Sequence, residues 1–199
     1  MKKLIALCAS LLITLSSQAT LLTVELDNTN YQMGDVMQAN IVISDIEQNL
    51  GFTSLVATFD FNLLFDNSLL AYKTTTFGSL LDVDPFLPSD RVAIDSGLGS
   101  LKLSELSLAF GDDLFAAQDG LVSFVLATVN FDVKANGMNT FKFSNIALGD
   151  DLGDSFKSVS FTPTEIVIGN VASVPEMPSL AIFALGLFAL IVRKRKTYT

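Results

Sequence analysis

Between Thr20 and Val171 hydrophobic residues recur at every second position. Leu55, Ala57, Phe59, Phe61 and Leu63 alternate with Val56, Thr58, Asp60 and Asn62, and Ala127, Val129, Phe131 and Val133 alternate with Thr128, Asn130, Asp132 and Lys134. Successive side chains of a strand point to opposite faces, so each run predicts a half-buried antiparallel strand with its apolar residues inward. Shorter alternations at Leu22, Val24 and Leu26, at Leu101 to Phe110, and at Phe141 and Phe143 predict further strands. The phase of the Leu101 to Phe110 run slips near Glu105, which predicts a β-bulge there. Turn signals separate the runs: Met33-Gly34-Asp35, Asp66-Asn67-Ser68, Ser96-Gly97, Asp119-Gly120, Asn136-Gly137 and Gly149-Asp150. No helical period of useful length occurs in this region. Many short strands with regular turns predict an all-β fold, a two-sheet sandwich with a phenylalanine-rich core.

Two uninterrupted apolar runs flank this region. Lys2-Lys3, the stretch Leu4 to Leu15 and the small polar segment Ser16-Ser17-Gln18-Ala19 have the three parts of a secretory signal peptide, with cleavage expected after Ala19. At the other end, Leu180 to Val192 is thirteen residues long and is followed by Arg193-Lys194-Arg195-Lys196. As a helix it measures about 20 Å against a hydrocarbon core of roughly 30 Å, so it spans a bilayer only marginally. Its basic end is expected to stay cytoplasmic. The chain thus divides into 1–19, signal peptide; 20–171, β-sandwich; and 172–199, a tail with a short transmembrane helix and a basic stop.

The tail resembles the PEP-CTERM sorting signal of Gram-negative envelope proteins. The likeness rests on Pro175, Glu176 and Pro178 ahead of the apolar helix, and on Arg193, Lys194, Arg195 and Lys196 behind it. The family's Pro-Glu-Pro reads here as Pro175-Glu176-Met177, with the second proline one position later. The resemblance implies processing by an exosortase, transient anchoring in the inner membrane, and delivery to the outer cell surface or the extracellular matrix, where exopolysaccharide is made. A second resemblance lies in the sandwich. Leu55 to Tyr72, containing ATFDFNLLFDNSLLAY, and Gly120 to Ala135, GLVSFVLATVNFDVKA, are similar to cohesin modules, in which a strand leads into an "fDpslL" turn and a later long strand ends in valine-lysine-alanine. That likeness implies a jelly-roll sandwich and non-catalytic recognition of an extracellular protein or an exopolysaccharide; the alternative is a glycan-binding or weakly glycan-cleaving module.

Composition narrows the chemistry. The only cysteine, Cys8, lies in the signal peptide, so the mature chain has neither a disulfide nor a thiolate metal site. The whole chain lacks histidine, which removes the commonest general base and the triads built on it. Tryptophan is absent and the three tyrosines are scattered, which counts against an aromatic sugar platform. The sandwich region carries six basic residues, Lys73, Arg91, Lys102, Lys134, Lys142 and Lys157, against twenty of the chain's twenty-one carboxylates. Such a surface repels nucleic acid and anionic lipid. Paired carboxylates could still serve a glycosidase, and Glu25, Glu47, Glu105 and Glu165 are the isolated glutamates. Three acidic loops offer oxygen ligands for calcium: Asp82-Val83-Asp84, Asp112-Asp113, and Asp150-Asp151 with Asp154. The last is the best calcium candidate because Gly149 and Gly153 let it curl; the alternative is simple turn chemistry, and no cofactor is otherwise expected.

Overall fold

Leu22 and Val24 point inward while Thr23 and Glu25 point out, and this alternation makes Thr20–Leu26 the first strand, β1. A computed structural model describes residues 19–49 and 52–169. Within them follow β2 (Val36–Ser44), β3 (Gln48–Asn49), β4 (Phe52–Thr53), β5 (Thr58–Leu64), β6 (Leu70–Phe77), β7 (Asp90–Asp95), β8 (Ser100–Leu106), α1 (Gly111–Gln118), β9 (Ser123–Val133), β10 (Gly137–Gly149), β11 (Val159–Phe161) and β12 (Thr164–Ile168). The first sheet runs β11-β1-β2-β9-β6 and the second β12-β10-β5-β8-β7, with β3 and β4 forming a separate short hairpin. All pairings are antiparallel except that of β1 with β11.

Within β5 and β9 the inner faces are those the alternation predicts, but ahead of β5 it fails: Leu55 to Ala57 are not strand, and Val56, expected outward, is fully buried while Leu55 is not. Phe59, Phe61 and Leu63 of β5 and Val129, Phe131 and Val133 of β9 are buried. Phenylalanine rings join the two layers, Phe131 of the first sheet lying 5.6 Å from Phe141 of the second, and within the second sheet Phe61 meets Phe143 edge-on at 5.2 Å. Each such side chain contributes about 1.5–3 kcal/mol by burial, and a favourable ring pair adds about 0.5–1.5 kcal/mol. Strand β2, with Met37, Ala39, Ile41 and Ile43 all fully buried, carries the same alternation and is central to its sheet.

Two further expectations need correction. No bulge interrupts β8 at Glu105: the register with β5 and β7 is continuous through Leu106. Leu101, Leu103 and Glu105 all point inward, so a carboxylate occupies a core position and only imitates a change of phase. The register shifts lie instead at Ile41/Val42, Tyr72/Thr74 and Ser144/Ala147. At the last of these Asn145 takes φ of 53°, a left-handed geometry that asparagine tolerates. The second correction is α1, an eight-residue helix in the stretch expected to be helix-free. It is held by two inward residues one turn apart, Leu114 and Gln118. The Gln118 amide accepts from Val56 N at 2.8 Å and donates to Val56 O and Leu80 O, both at 2.9 Å, so a polar side chain completes the hydrogen bonding of the segment ahead of β5.

The sandwich has two distinct ends. At the lower end, the turn after β5 hands the chain across to Leu70, paired with Val133, and β12 finishes at Ile168 opposite Gly137. At the upper end lie Thr20, the start of β5 at Thr58, the end of β8 at Leu106 and the start of β7 at Asp90.

Candidate functional site

The two outer faces differ in chemistry. On the first sheet most outward residues are polar, with Val36 and Val125 also exposed, and several satisfy one another: Asn40 Oδ1 accepts from Thr128 Oγ1 at 2.8 Å, Asn130 Nδ2 donates to Thr74 Oγ1 at 3.1 Å, and Lys73 Nζ meets Asp132 at 2.8 Å. The second sheet instead presents apolar side chains to solvent. Ile94 of β7 is 60% exposed and Met138 of β10 is 63% exposed, with Leu106 and Val167 also open. Between them β5 and β8 contribute Asn62, Ser104 and a solvent-exposed ion pair, Lys102 Nζ to Asp60 Oδ2 at 3.0 Å. The strand pairing sets this mixture in register, with Ile94 opposite Lys102 and Lys102 opposite Asn62. An open sheet face with apolar points and a few charges is suited to docking another macromolecule.

A cleft of about 170 Å³ at the lower end, lined by Phe65, Asn67, Tyr72, Asp95 and Lys134, falls below the range of roughly 300–1,000 Å³ usual for small-molecule pockets. Beside it Asp66 Oδ1 accepts from Ser68 N at 2.8 Å and Ser68 Oγ at 2.6 Å, as the expected turn requires. The Ser68 hydroxyl and then its backbone N–H hold the Asp66 carboxyl below the usual carboxylate range. Also at this end, burial and the hydrogen bond to Asp27 push the Tyr31 phenol far upward; Tyr31 bridges to Ile168 and anchors the end of β12.

The isolated glutamates do not assemble into an acid pair. Glu25 projects from β1, Glu165 from β12, and Glu47 receives the backbone N–H of Lys157 near the upper end. Glu105 is fully buried, with Oε1 taking Ser89 Oγ at 2.6 Å and Arg91 Nε at 2.8 Å. Arg91 continues to Asp82 at 3.0 Å and lies 5.5 Å from the Phe77 ring centre. Sequence reasoning missed this clamp because β7 shows no alternation long enough to place Arg91 inward.

The three acidic loops all come to the upper end, where Asp82, Asp84 and Asp150 have local hydrogen-bond partners. Asp82 accepts from Ser89 N and Asp84 from Phe86 N. Asp112 and Asp113 sit in the first turn of α1, where the helix dipole favours anions. Asp150 Oδ1 accepts from Leu152 N at 3.0 Å and Asp154 N at 2.8 Å, closing a turn in which Gly153 has φ of 86°. Among the described residues, no three acidic side chains converge where a metal ion could sit. Ala19 lies immediately before β1. The sorting residues Pro175, Glu176, Pro178, Arg193, Lys194, Arg195 and Lys196 and the apolar tail are outside the described residues, within which no helix is long and apolar enough to cross a membrane.

Two stacked sheets with a short helix ahead of the eleven-residue strand β9 define a jelly-roll sandwich of the cohesin type. The chain is similar to a type II cohesin domain from the cellulosome of Acetivibrio cellulolyticus, with 21% identity over 75% of this chain and 95% of that one, at a TM-score of 0.60. It is also similar to a non-cellulosomal cohesin from the archaeon Archaeoglobus fulgidus, with 16% identity over 76% and 92% and a TM-score of 0.55. A third likeness is to the sixth cohesin of Acetivibrio cellulolyticus scaffoldin B, solved in complex with a mutant Cel5 dockerin, with 18% identity over 76% and 99% and a TM-score of 0.55. No protein-family model and no curated protein matches the chain.

Proposed function

We propose that this chain is an exported, non-catalytic binding module that docks an extracellular protein on the outer face of the β12-β10-β5-β8-β7 sheet. The observation that carries the reading is that face itself, set with the exposed Ile94, Leu106, Met138 and Val167. The dockerin held by the Acetivibrio scaffoldin cohesin makes a protein partner the natural expectation for a shared fold. The tail adds destination. An exosortase acting near Pro175, Glu176 and Pro178, with Arg193 to Lys196 as the stop, would deliver the module to the outer surface or biofilm matrix of a Gram-negative bacterium.

The test is capture from matrix extract by the purified full chain, scored separately for protein and polysaccharide. Ile94→Asp with Met138→Asp is expected to abolish protein capture, while Thr74→Asp on the first sheet leaves it intact. Equal capture by both variants refutes the assignment of the face. Polysaccharide capture that instead depends on Asn40 and Asn130 would favour the glycan-binding reading, to which the hydrogen-bonding array of the first sheet is suited. Sorting is tested by the mass of the mature protein with and without exosortase; retention of Leu180 to Thr199 in both strains refutes it.

A further inference from the structure

We propose that the upper end of the sandwich is a second docking surface, built for a cationic amphipathic segment of a partner protein. Three stretches meet there: 78–90 into the start of β7, 107–119 through α1, and 150–156 after β10. Ser107 Oγ donates to Leu81 O at 2.6 Å and Gln118 Nε2 to Leu80 O at 2.9 Å, which fixes the first stretch against the second. Gly111 faces the third so closely that a Cβ there would come within 2.9 Å of the Asp151 carboxylate.

These stretches leave large apolar side chains in water. Phe86 is 89% exposed, Leu152 79%, Phe110 69% and Phe115 50%, with Leu108 between them. A single exposed hydrophobe needs no explanation, but several large ones from three segments tied together mark an interaction surface. The charge around them has one sign. Each stretch carries three aspartates and neither lysine nor arginine. Arg91, next along the chain, is already held by Asp82 and Glu105. Like charge opposes self-association through this end and repels anionic lipid and nucleic acid, whereas a helix with lysines flanking an apolar stripe satisfies both features at once. The surface is separate from the β-sheet face assigned above, and the one can fail without the other.

The probe is a labelled leucine-lysine amphipathic helical peptide of about five turns, titrated against the full chain in a non-ionic detergent and read by anisotropy. Binding is expected to weaken about tenfold in Phe110→Ser with Phe115→Ser, since exposed aromatics act as anchors. With Asp112→Asn and Asp113→Asn it should weaken about threefold and lose salt dependence. Ile94→Asp on the sheet face is expected to leave it unchanged. All four replaced upper-end residues are solvent-exposed, so unchanged thermal melts show that the variants fold. Equal binding by the phenylalanine variant, equal binding of a scrambled peptide without an apolar stripe, equal binding of a leucine-glutamate peptide, or no binding at all would each overturn the proposal.

Discussion

Arg91 Nε lies 2.8 Å from Oε1 of Glu105, a carboxylate with no solvent exposure whose Oε2 has no hydrogen-bond partner among the described residues. The pair joins edge strand β7 to β8, and through Asp82 it also fastens the connection that follows β6. Removing one partner strands the other in the core. Arg91→Met is therefore expected to cost roughly 2–3 kcal/mol, below the full value for a buried pair because Arg91 is a third exposed to water. Glu105→Leu with Arg91→Met should recover most of that loss, since an apolar pair avoids the desolvation of Glu105. Denaturant unfolding of the single and double variants checks both statements; an additive double variant would contradict the coupling.

Phe59 and Asn62 test the inner and outer faces of one strand. Phe59 is fully buried and stacks on Phe61 at 5.2 Å, whereas Asn62 points outward. Phe59→Asp is expected to prevent folding by burying an unpaired charge, and Asn62→Asp to stay within about 0.5 kcal/mol of wild type. Thermal melts decide, and comparable losses would mean the face is misassigned.

Asp66 gives a pH signature. Its folded-state carboxyl is held low by Ser68, so its stabilising effect is present above the unfolded value, near 4, and is lost as pH falls through the lowered folded value. The melting-temperature gap between wild type and Asp66→Ala should therefore be constant near neutrality and shrink in acid. A gap that widens as pH falls reverses the sign and refutes the account.

Asp150 separates turn chemistry from metal binding. Because its Oδ1 already takes two backbone N–H groups, Asp150→Ala is expected to cost about 1 kcal/mol, and millimolar calcium is expected to leave the wild-type melting temperature unmoved. A calcium-dependent rise that disappears when Asp150, Asp151 and Asp154 become asparagine would establish an ion site instead, by mass action on the folded state.

The sandwich was legible in sequence wherever one face of a strand is uniformly apolar. Phe59, Phe61 and Leu63, and likewise Val129, Phe131 and Val133, alternate because one side of each strand meets the core and the other meets water. The β10 alternation at Phe141 and Phe143 was visible for the same reason, and the Asp66 and Ser96-Gly97 turns stand where asparagine, glycine and aspartate signalled them. Legibility failed where a polar group does the work of an apolar one. Glu105 broke an otherwise regular pattern because its partner Arg91 comes from another strand, and no local rule couples the two. Helix α1 rests on one leucine and one glutamine, too few residues to set a period. The candidate docking face was not legible at all, since Ile94, Met138 and Val167 belong to three strands that only tertiary pairing brings onto one surface.

The strand directions have a mechanical consequence. Thr20 begins β1 at the upper end and Gly169 follows β12 at the lower, so tension between them runs along the strands. To yield, β1 must slide past both β2 and β11, and β12 past β10, which loads many ladder hydrogen bonds together instead of peeling them one after another. Pulled from Thr20 and Gly169, the sandwich is expected to resist a larger force than when pulled through Ser96 and Gly169, both at the lower end; single-molecule extension with the two attachments compares them, and equal forces would refute the shear geometry. A module tethered from below and gripped from above would then hold under flow by its geometry, whatever its equilibrium stability.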